Sequence, residues 1–151
     1  MAELKERLRA DLNAAMRARD QVRMRTLRMA LSSITTEEVA GSTARDLSDD
    51  EVLKVLTREV RKRREAAEAF GAAGRTEQAQ AERAEGEVLA DYLPAQLGDD
   101  ELAALVDAAI AETGATDMKG MGQVMKALTP KVAGRADGGR VAGEVRRRLS
   151  A

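Results

Sequence analysis

The sequence predicts an all-α protein in which an N-terminal four-helix unit is followed by a compact C-terminal three-helix unit. Three observations favour helices over strands. Alanine supplies 29 of the 151 residues, 34% of the residues are charged, and isoleucine occurs only twice, a composition that suits helices better than strands. Apolar residues recur at intervals of three or four positions. Serine, aspartate and glycine residues mark the helix ends.

The first two predicted helices each carry one apolar face. In the first helix, the apolar residues alternate with charged ones at helical spacing and are Leu4, Leu8, Leu12, Ala15 and Met16. Asp20 is placed to cap the second helix. The inward residues of the second helix are Val22, Met24, Leu27, Leu31 and Ile34. This pattern fades in the polar stretch around Gly41.

The third predicted helix has the clearest start signal in the chain. Ser48 and Glu51 have the spacing of a capping box. Leu47 and Val52 occupy the positions of a hydrophobic staple. Two glycines that follow Phe70 predict the end of the helix near that residue.

The fourth predicted helix runs from Thr76 to Tyr92. Its inward residues are Ala81, Ala84, Val88 and Leu89. The helix is broken before Pro94, because the residue that precedes a proline is pushed out of the helical region. We therefore predict an N-terminal helical domain over residues 1–93 and a C-terminal three-helix domain over residues 94–151.

Three shorter helices are predicted after this boundary. The fifth has Gly98 at its cap and Glu101 three residues later, and Gly114 closes it. The sixth contains Pro130, which should kink or shorten it. Asp137 is placed to cap the seventh helix.

Several function classes are excluded by residue types that the chain lacks. It has no His, no Cys and no Trp, which excludes imidazole and thiolate catalysis, disulfides and cysteine-ligated metals. The two aromatic residues, Phe70 and Tyr92, are too few for a base-stacking platform. We expect no metal and no cofactor. Because no apolar run is long enough to span a membrane and the N-terminus lacks a signal-peptide core, we predict a cytoplasmic protein.

The net charge of −1 hides a strong segregation of charge along the chain. Residues 95–118 carry six acids and no base, whereas residues 119–151 carry eight bases and two acids. Residues 52–64 carry six bases against a single acid, Glu59. Two interpretations stay open. The basic segments contact the phosphates of a nucleic acid, or they are solvated faces whose bases pair with nearby acids and offset helix dipoles.

Two local patterns also have a functional and a structural interpretation. Gly120 and Gly122 precede the sixth helix, where backbone N–H groups can bind an anion or where the glycines only allow a tight turn. Their spacing matches neither a dinucleotide-binding motif nor a Walker A loop. Glu82 and Glu85 lie one helical turn apart.

We interpret this glutamate pair as facing solvent or as paired with Arg75 or Arg83, rather than as catalytic, because the sequence builds no reaction centre around it.

Motifs along the chain resemble those of the GatB/YqeY family. In the C-terminal half they are the run Lys-Gly-Met-Gly-Gln-Val-Met-Lys-Ala-Leu at 119–128 and the run Lys-Val-Ala-Gly-Arg-Ala-Asp-Gly-Gly-Arg-Val at 131–141. Upstream they are Ala15-Met16 with Asp20, Leu27-Arg28-Met29, Arg75 with Glu82 and Glu85, and Tyr92-Leu93-Pro94-Ala95-Gln96-Leu97. The chain resembles a YqeY-like protein over essentially its whole length, and it is similar to the C-terminal region of the GatB subunit of tRNA-dependent amidotransferase. It departs from the family at Gln123, where lysine is common.

The resemblance implies a two-part helical fold and a link to tRNA. In GatB the matching C-terminal unit helps to hold the body of the tRNA, while the catalytic region lies elsewhere in that subunit. The resemblance therefore implies a tRNA-binding or amidotransferase-associated accessory module with no complete active site of its own. One alternative is a protein–protein adaptor that does not bind RNA. Another is a carbon–nitrogen ligase with glutamine as amido donor, which is implied only by the likeness to GatB.

We expect the basic C-terminal unit to contact tRNA through backbone and shape, alone or within a tRNA-handling protein complex. The candidate nucleic-acid contacts are Lys119, Gly120, Gly122, Lys126, Lys131, Arg135 and Arg140, with Arg61, Lys62 and Arg64 as secondary contacts. We predict no catalytic, cofactor-binding or metal-binding residue.

Overall fold

The computed structural model describes residues 2–150, and over this range the chain forms seven α-helices and a short 3₁₀ turn, with no strand. The helices are α1 (Glu3–Ala18), α2 (Gln21–Glu38), α3 (Asp49–Ala72), α4 (Thr76–Ala90), α5 (Asp99–Thr113), α6 (Met121–Val132) and α7 (Gly138–Leu149), and the 3₁₀ turn (Met118–Gly120) precedes α6. The all-α prediction is confirmed. The chain divides into two compact units, Met1–Leu93 and Pro94–Ala151, which we call the N-terminal unit and the C-terminal unit.

The N-terminal unit packs α1 to α4 around one apolar core. Its fully buried side chains include Leu8, Leu27, Ile34, Val52, Leu56 and Leu89. Burial of each such side chain contributes about 1.5–3 kcal/mol relative to leaving it exposed. The core therefore draws on all four helices.

Tyr92 connects the end of α4 to α1. Its ring is buried in the core, and its hydroxyl donates a hydrogen bond to the Asp11 carboxylate. The Arg7 guanidinium lies 4.6 Å from the centre of the ring, which adds a cation–π contact. Burial, followed by the contact with Asp11, raises the pKa of Tyr92 above its usual value. The hydroxyl is therefore held as a hydrogen-bond donor.

The predicted helix caps are confirmed. The Asp20 carboxylate accepts a hydrogen bond from the Arg23 N–H at 3.1 Å. Ser48 and Glu51 exchange hydrogen bonds between side chain and backbone at 3.2 and 2.9 Å. Each side-chain cap satisfies a backbone donor that the helix leaves without a partner.

Two predicted helix ends are wrong by a few residues. α3 continues through Gly71 to Ala72, and the chain turns only at Gly74, whose φ of 75° lies in the left-handed region. α4 ends at Ala90 instead of Tyr92, because the Tyr92 N–H bonds to a carbonyl three residues back at 3.1 Å. This tighter turn takes the chain out of the helix before the proline.

Two residues that were predicted to face inward are exposed. Met16 is 39% exposed, and Ala81 lies on the outer side of α4. The inward face of α4 carries Ala79, Val88 and the carboxylate of Glu85. The apolar pattern alone does not predict that a charged residue lies on this face, and the ion pairs that hold the Glu85 carboxylate there are described below.

The C-terminal unit packs α5, α6 and α7 around a second core. Its buried side chains include Leu102, Val106, Val124, Leu128, Val141 and Val145. Pro130 lies within α6, which ends two residues later at Val132. Proline has no N–H for the helical hydrogen bond, and the helix nevertheless continues through this position.

Within residues 2–150, no helix is both long enough and apolar enough to cross a lipid bilayer.

Candidate nucleic-acid interface

The chain enters α6 through a turn held by Asp117. The Asp117 carboxylate accepts a hydrogen bond from the Lys119 N–H at 3.0 Å, and its backbone carbonyl accepts one from the Gly120 N–H at 3.1 Å. A Cβ atom on Gly120 would lie only 2.5 Å from the Cβ of Ala115. Close packing therefore requires glycine at this position, which favours the structural interpretation of Gly120.

Gly122 has no such constraint. It is exposed, a Cβ atom there would meet no other atom within 4 Å, and its φ is not among the positive values. Glycine inside a helix costs about 0.5–1 kcal/mol relative to alanine. The fold gains nothing from glycine at 122, whereas a bare backbone leaves space for a ligand to approach closely.

The two glycines predict opposite effects of one substitution. Gly120→Ala should lower the free energy of unfolding by about 1–3 kcal/mol, because the added carbon overpacks the contact with Ala115. Gly122→Ala should raise it by about 0.5–1 kcal/mol. Chemical denaturation measures both changes. The double variant Gly120→Ala/Ala115→Gly should recover part of the loss, and equal effects at the two glycines would contradict the packing argument.

In the fold, ion pairs between helices neutralise part of the charge that is segregated along the sequence. Four bases of α6, α7 and the connection between them pair with acids of α5. The N···O distances are 3.3 Å for Lys131–Glu112, 3.9 Å for Arg135–Glu101, 2.8 Å for Arg140–Asp99 and 3.2 Å for Arg148–Asp107. Exposed pairs such as these contribute little to stability individually, but they reduce the positive charge that is available to a ligand.

Three bases of the C-terminal unit remain without an ion pair in the described part of the chain: Lys119, Lys126 and Arg146. All three are exposed. The last turn of α7 is otherwise neutralised by Glu144, whose pKa is lowered by hydrogen bonds from the two arginines that follow Arg146. Arg146 was not among the predicted contacts, although its place in a basic last turn was visible in the sequence.

Arg135 and Arg140 hold the segment that precedes α5. The Leu97 N–H donates to the Arg135 carbonyl at 2.9 Å, and the Arg140 guanidinium donates to the Leu97 carbonyl at 2.8 Å. The Gln96 side-chain amide donates to the Gly134 carbonyl at 2.8 Å. We call this set of contacts the clasp. Two of the motifs that suggested the family meet here, so part of the motif has a structural role.

The secondary candidates on α3 are distributed around the helix. Arg61 lies 3.8 Å from Glu65, and Lys62 lies 3.4 Å from Glu59. Arg64 is exposed and makes no ion pair within the described residues. Arg61 and Arg64 share one face of α3, whereas Lys62 lies away from it.

The neighbouring Arg63 is not on the surface but at the centre of a buried ionic cluster, which we call the Arg63 cluster. Its side chain is only 12% exposed, and its nitrogens lie 3.5, 3.7 and 3.4 Å from carboxylate oxygens of Glu59, Glu82 and Glu85. Arg25 completes the cluster, because its Nε donates to Glu85 at 2.8 Å. The cluster joins α2, α3 and α4.

The expected partners of the glutamate pair on α4 are therefore wrong. Glu82 and Glu85 pair with Arg63, and Glu85 also pairs with Arg25, rather than with Arg75 or Arg83. Arginines of other helices reach the pair because Glu85 faces inward. Within residues 2–150, no group of three or more acidic residues is arranged to hold a metal ion.

A second buried ion pair joins α1 to the end of α2. The Lys5 ammonium lies 2.7 and 2.8 Å from the two carboxylate oxygens of Glu38, and the Leu47 N–H donates to the same carboxylate at 3.3 Å. The hydrogen bond from Lys5, followed by the one from Leu47, lowers the pKa of Glu38. Sequence reasoning missed this pair, although Lys5 and Glu38 each lie one helical turn from a core residue, Leu8 and Ile34 respectively.

Comparison with protein families matches residues 5–149 to the family described as Yqey-like protein. The match includes all seven helices in whole or in part and extends across both units. No curated protein matches the sequence.

Proposed function

The chain belongs to the Yqey-like family, and from this premise we propose that it is an RNA-binding accessory module whose C-terminal unit contacts the phosphate backbone of tRNA. The similarity of this unit to the tRNA-holding region of GatB supports tRNA as the RNA. The partner that would use the module is a tRNA-handling protein complex.

The observation that carries the proposal is the exposed side of α6 and of the turn before it. Lys119 and Lys126 are exposed and make no ion pair within the described residues, and Gly122 lies between them without steric need for glycine. The three positions are spaced by about one helical turn, which places them along one side. This side offers two positive charges and an accessible backbone.

These groups suit phosphate better than bases. Lysine ammonium groups bind phosphate as mobile point charges, and each phosphate that they neutralise releases condensed counterions. The unit contains no Phe, Tyr or Trp after Tyr92, so it has no ring on which an unpaired base could stack. The interface would therefore recognise the shape and the phosphate backbone of the RNA.

The double variant Lys119→Ala/Lys126→Ala should bind unfractionated tRNA about tenfold more weakly than the wild type, and the slope of log K against log salt should fall by about 1.5. Lys131→Ala is the matched control, since Lys131 already pairs with Glu112, and it should change affinity by less than about twofold. Binding can be followed by fluorescence anisotropy across a salt series. Equal losses in all variants, or wild-type binding that ignores salt, would contradict the proposal.

A pull-down with the same protein preparation distinguishes the protein–protein adaptor from the RNA-binding module. A partner protein that stays bound in a pull-down after nuclease treatment, together with no tRNA binding near physiological salt, would replace the RNA-binding proposal with the adaptor.

A further inference from the structure

The corner between α1 and α2 is a second basic part of the N-terminal unit, separate from the basic run of α3. From Leu12 to Thr36 the chain carries five arginines and a single acid, Asp20. The Asp20 carboxylate is engaged as the cap of α2, where it accepts a hydrogen bond from the Arg23 N–H at 3.1 Å. No other acid within this stretch is available to neutralise the arginines.

Four of the five arginines have no carboxylate partner in the described part of the chain: Arg17, Arg19, Arg23 and Arg28. Arg28 donates only to the Met16 sulfur at 3.5 Å, which is a neutral and weak acceptor. Arg25 pairs with Glu85, but through Nε alone, and its side chain remains 57% exposed. Three of the four arginines of α3 differ, since Arg58, Arg61 and Arg63 each lie near a carboxylate.

Two arginines of α2, Arg25 and Arg28, line an open groove. Gln21, Arg25, Arg28 and Ser32 are spaced by three or four residues and lie along one side of the helix, and they line a groove of about 490 Å³ together with Met24 and Met29. The stripe is about 16 Å long from its first to its last residue. No carboxylate is among the lining residues.

Arg19 is held in a backbone conformation that disfavours it. Its φ of 57° makes it the one residue other than glycine with a positive φ within the described range. The position ends α1, where glycine is the usual residue. An arginine there carries a steric penalty that glycine avoids, so the fold alone does not account for the side chain.

We propose that the groove formed by Gln21, Arg25, Arg28 and Ser32, together with Arg17 and Arg19 of the same α1–α2 corner, binds the phosphate backbone of RNA. The inference rests on the proposed function and adds a second RNA-contacting surface, in the N-terminal unit. Arginine guanidinium groups bind phosphate oxygens in pairs, and the amide and hydroxyl at the two ends of the stripe suit sugar and phosphate oxygens. An acidic protein segment is the competing occupant. It is less favoured because the groove lacks the large apolar or aromatic pocket that anchors most protein interfaces.

The double variant Arg17→Gln/Arg28→Gln tests the surface. It should bind unfractionated tRNA at least about tenfold more weakly than the wild type, and the salt slope should fall by about 1.5, because two phosphate contacts are lost. The matched control is Arg45→Gln/Arg58→Gln, which makes the same change in net charge at exposed arginines that are already paired. The control should stay within about twofold of the wild type.

Arg19→Gly separates binding from stability. The glycine relieves the left-handed strain and should raise Tm by about 2–4 °C, while the lost charge should weaken tRNA binding by about threefold to fivefold. A residue with only a structural role would change Tm without changing affinity. A higher Tm with unchanged affinity would therefore overturn the role of Arg19 in RNA binding.

The outcomes also distinguish this inference from the proposed function. If the wild type binds no tRNA, or binds it without salt dependence, the proposed function fails and the inference fails with it. If the Lys119/Lys126 variant loses affinity while Arg17→Gln/Arg28→Gln does not, the function stands and the inference is overturned. If the arginine variant instead loses a nuclease-resistant protein partner, the occupant is an acidic protein and the RNA assignment is wrong.

Discussion

Replacing Arg63 with Met is expected to lower the free energy of unfolding by about 3–5 kcal/mol, which is the largest effect that we predict for a single substitution. Among residues 2–150, Arg63 is the only cation shared by Glu59, Glu82 and Glu85. Two of these carboxylates are less than 10% exposed. Removal of the cation leaves them close together in a site of low polarity, where unpaired charge is costly.

The other contacts of these carboxylates limit the predicted loss of stability and set its lower end, about 3 kcal/mol. Glu59 also accepts a hydrogen bond from Ser33 at 3.0 Å, and Glu85 keeps its bond to Arg25. Glu82 has no second ion pair within the described residues. Equilibrium urea unfolding followed by far-ultraviolet circular dichroism would measure the loss.

A second substitution tests whether repulsion between carboxylates causes the loss. Arg63→Met/Glu85→Gln should recover about 1–2 kcal/mol, because it removes one of the facing charges. Arg63→Lys should be intermediate, since an ammonium group keeps the charge but lacks the guanidinium fork. If Arg63→Met unfolds at the wild-type denaturant concentration, the cluster makes no net contribution and our account of it is wrong.

Replacing Lys5 with Met is expected to lower the free energy of unfolding by about 3 kcal/mol at neutral pH, because it leaves the buried Glu38 carboxylate without its cation. The loss should be smaller in acid. Pairing lowers the pKa of Glu38 from its ordinary value of 4.5, so its contribution to stability is complete above about pH 4.5 and is lost as the pH falls through the lowered pKa. Unfolding curves recorded from pH 7 to pH 3 would show the two proteins converging.

The control for this pair is Glu38→Gln. The neutral amide keeps the shape of the side chain and does not titrate, although only its oxygen can accept a hydrogen bond, because its NH2 group is a donor like the Lys5 ammonium. The stability difference between this variant and the wild type should shrink below pH 4.5, as for Lys5→Met. A difference that stays constant across the pH range would contradict the assignment of the lowered pKa to Glu38.

Much of the fold follows from local signals in the sequence. The capping box at Ser48, the cap at Asp20 and the closing glycine at Gly114 are interactions between residues at most four positions apart, so the chain displays them directly. The inward orientation of the Glu85 side chain could not be predicted from such local signals. Its partner Arg63 lies on another helix, and an ion pair across helices leaves no periodic trace.

The candidate interface was less predictable for the same reason. The bases of the C-terminal unit were visible, but their pairing with acids of α5 depends on how the helices pack, so Lys131 and Arg140 could not be told apart from Lys126. Whether any of them contacts RNA remains a prediction. The basic α1–α2 corner was readable, since counting charges between Leu12 and Thr36 is enough to find it.

The clasp determines where a fragment that contains the C-terminal unit must begin if it is to be joined to another protein. A boundary drawn from helices alone would start the unit at Asp99, the first residue of α5. A fragment cut there would lose Gln96 and Leu97, and with them the partners of the Gly134 and Arg135 carbonyls and of the Arg140 side chain. A unit of this kind that is joined to another protein must carry the residues from Pro94 onward, so the join belongs before the proline.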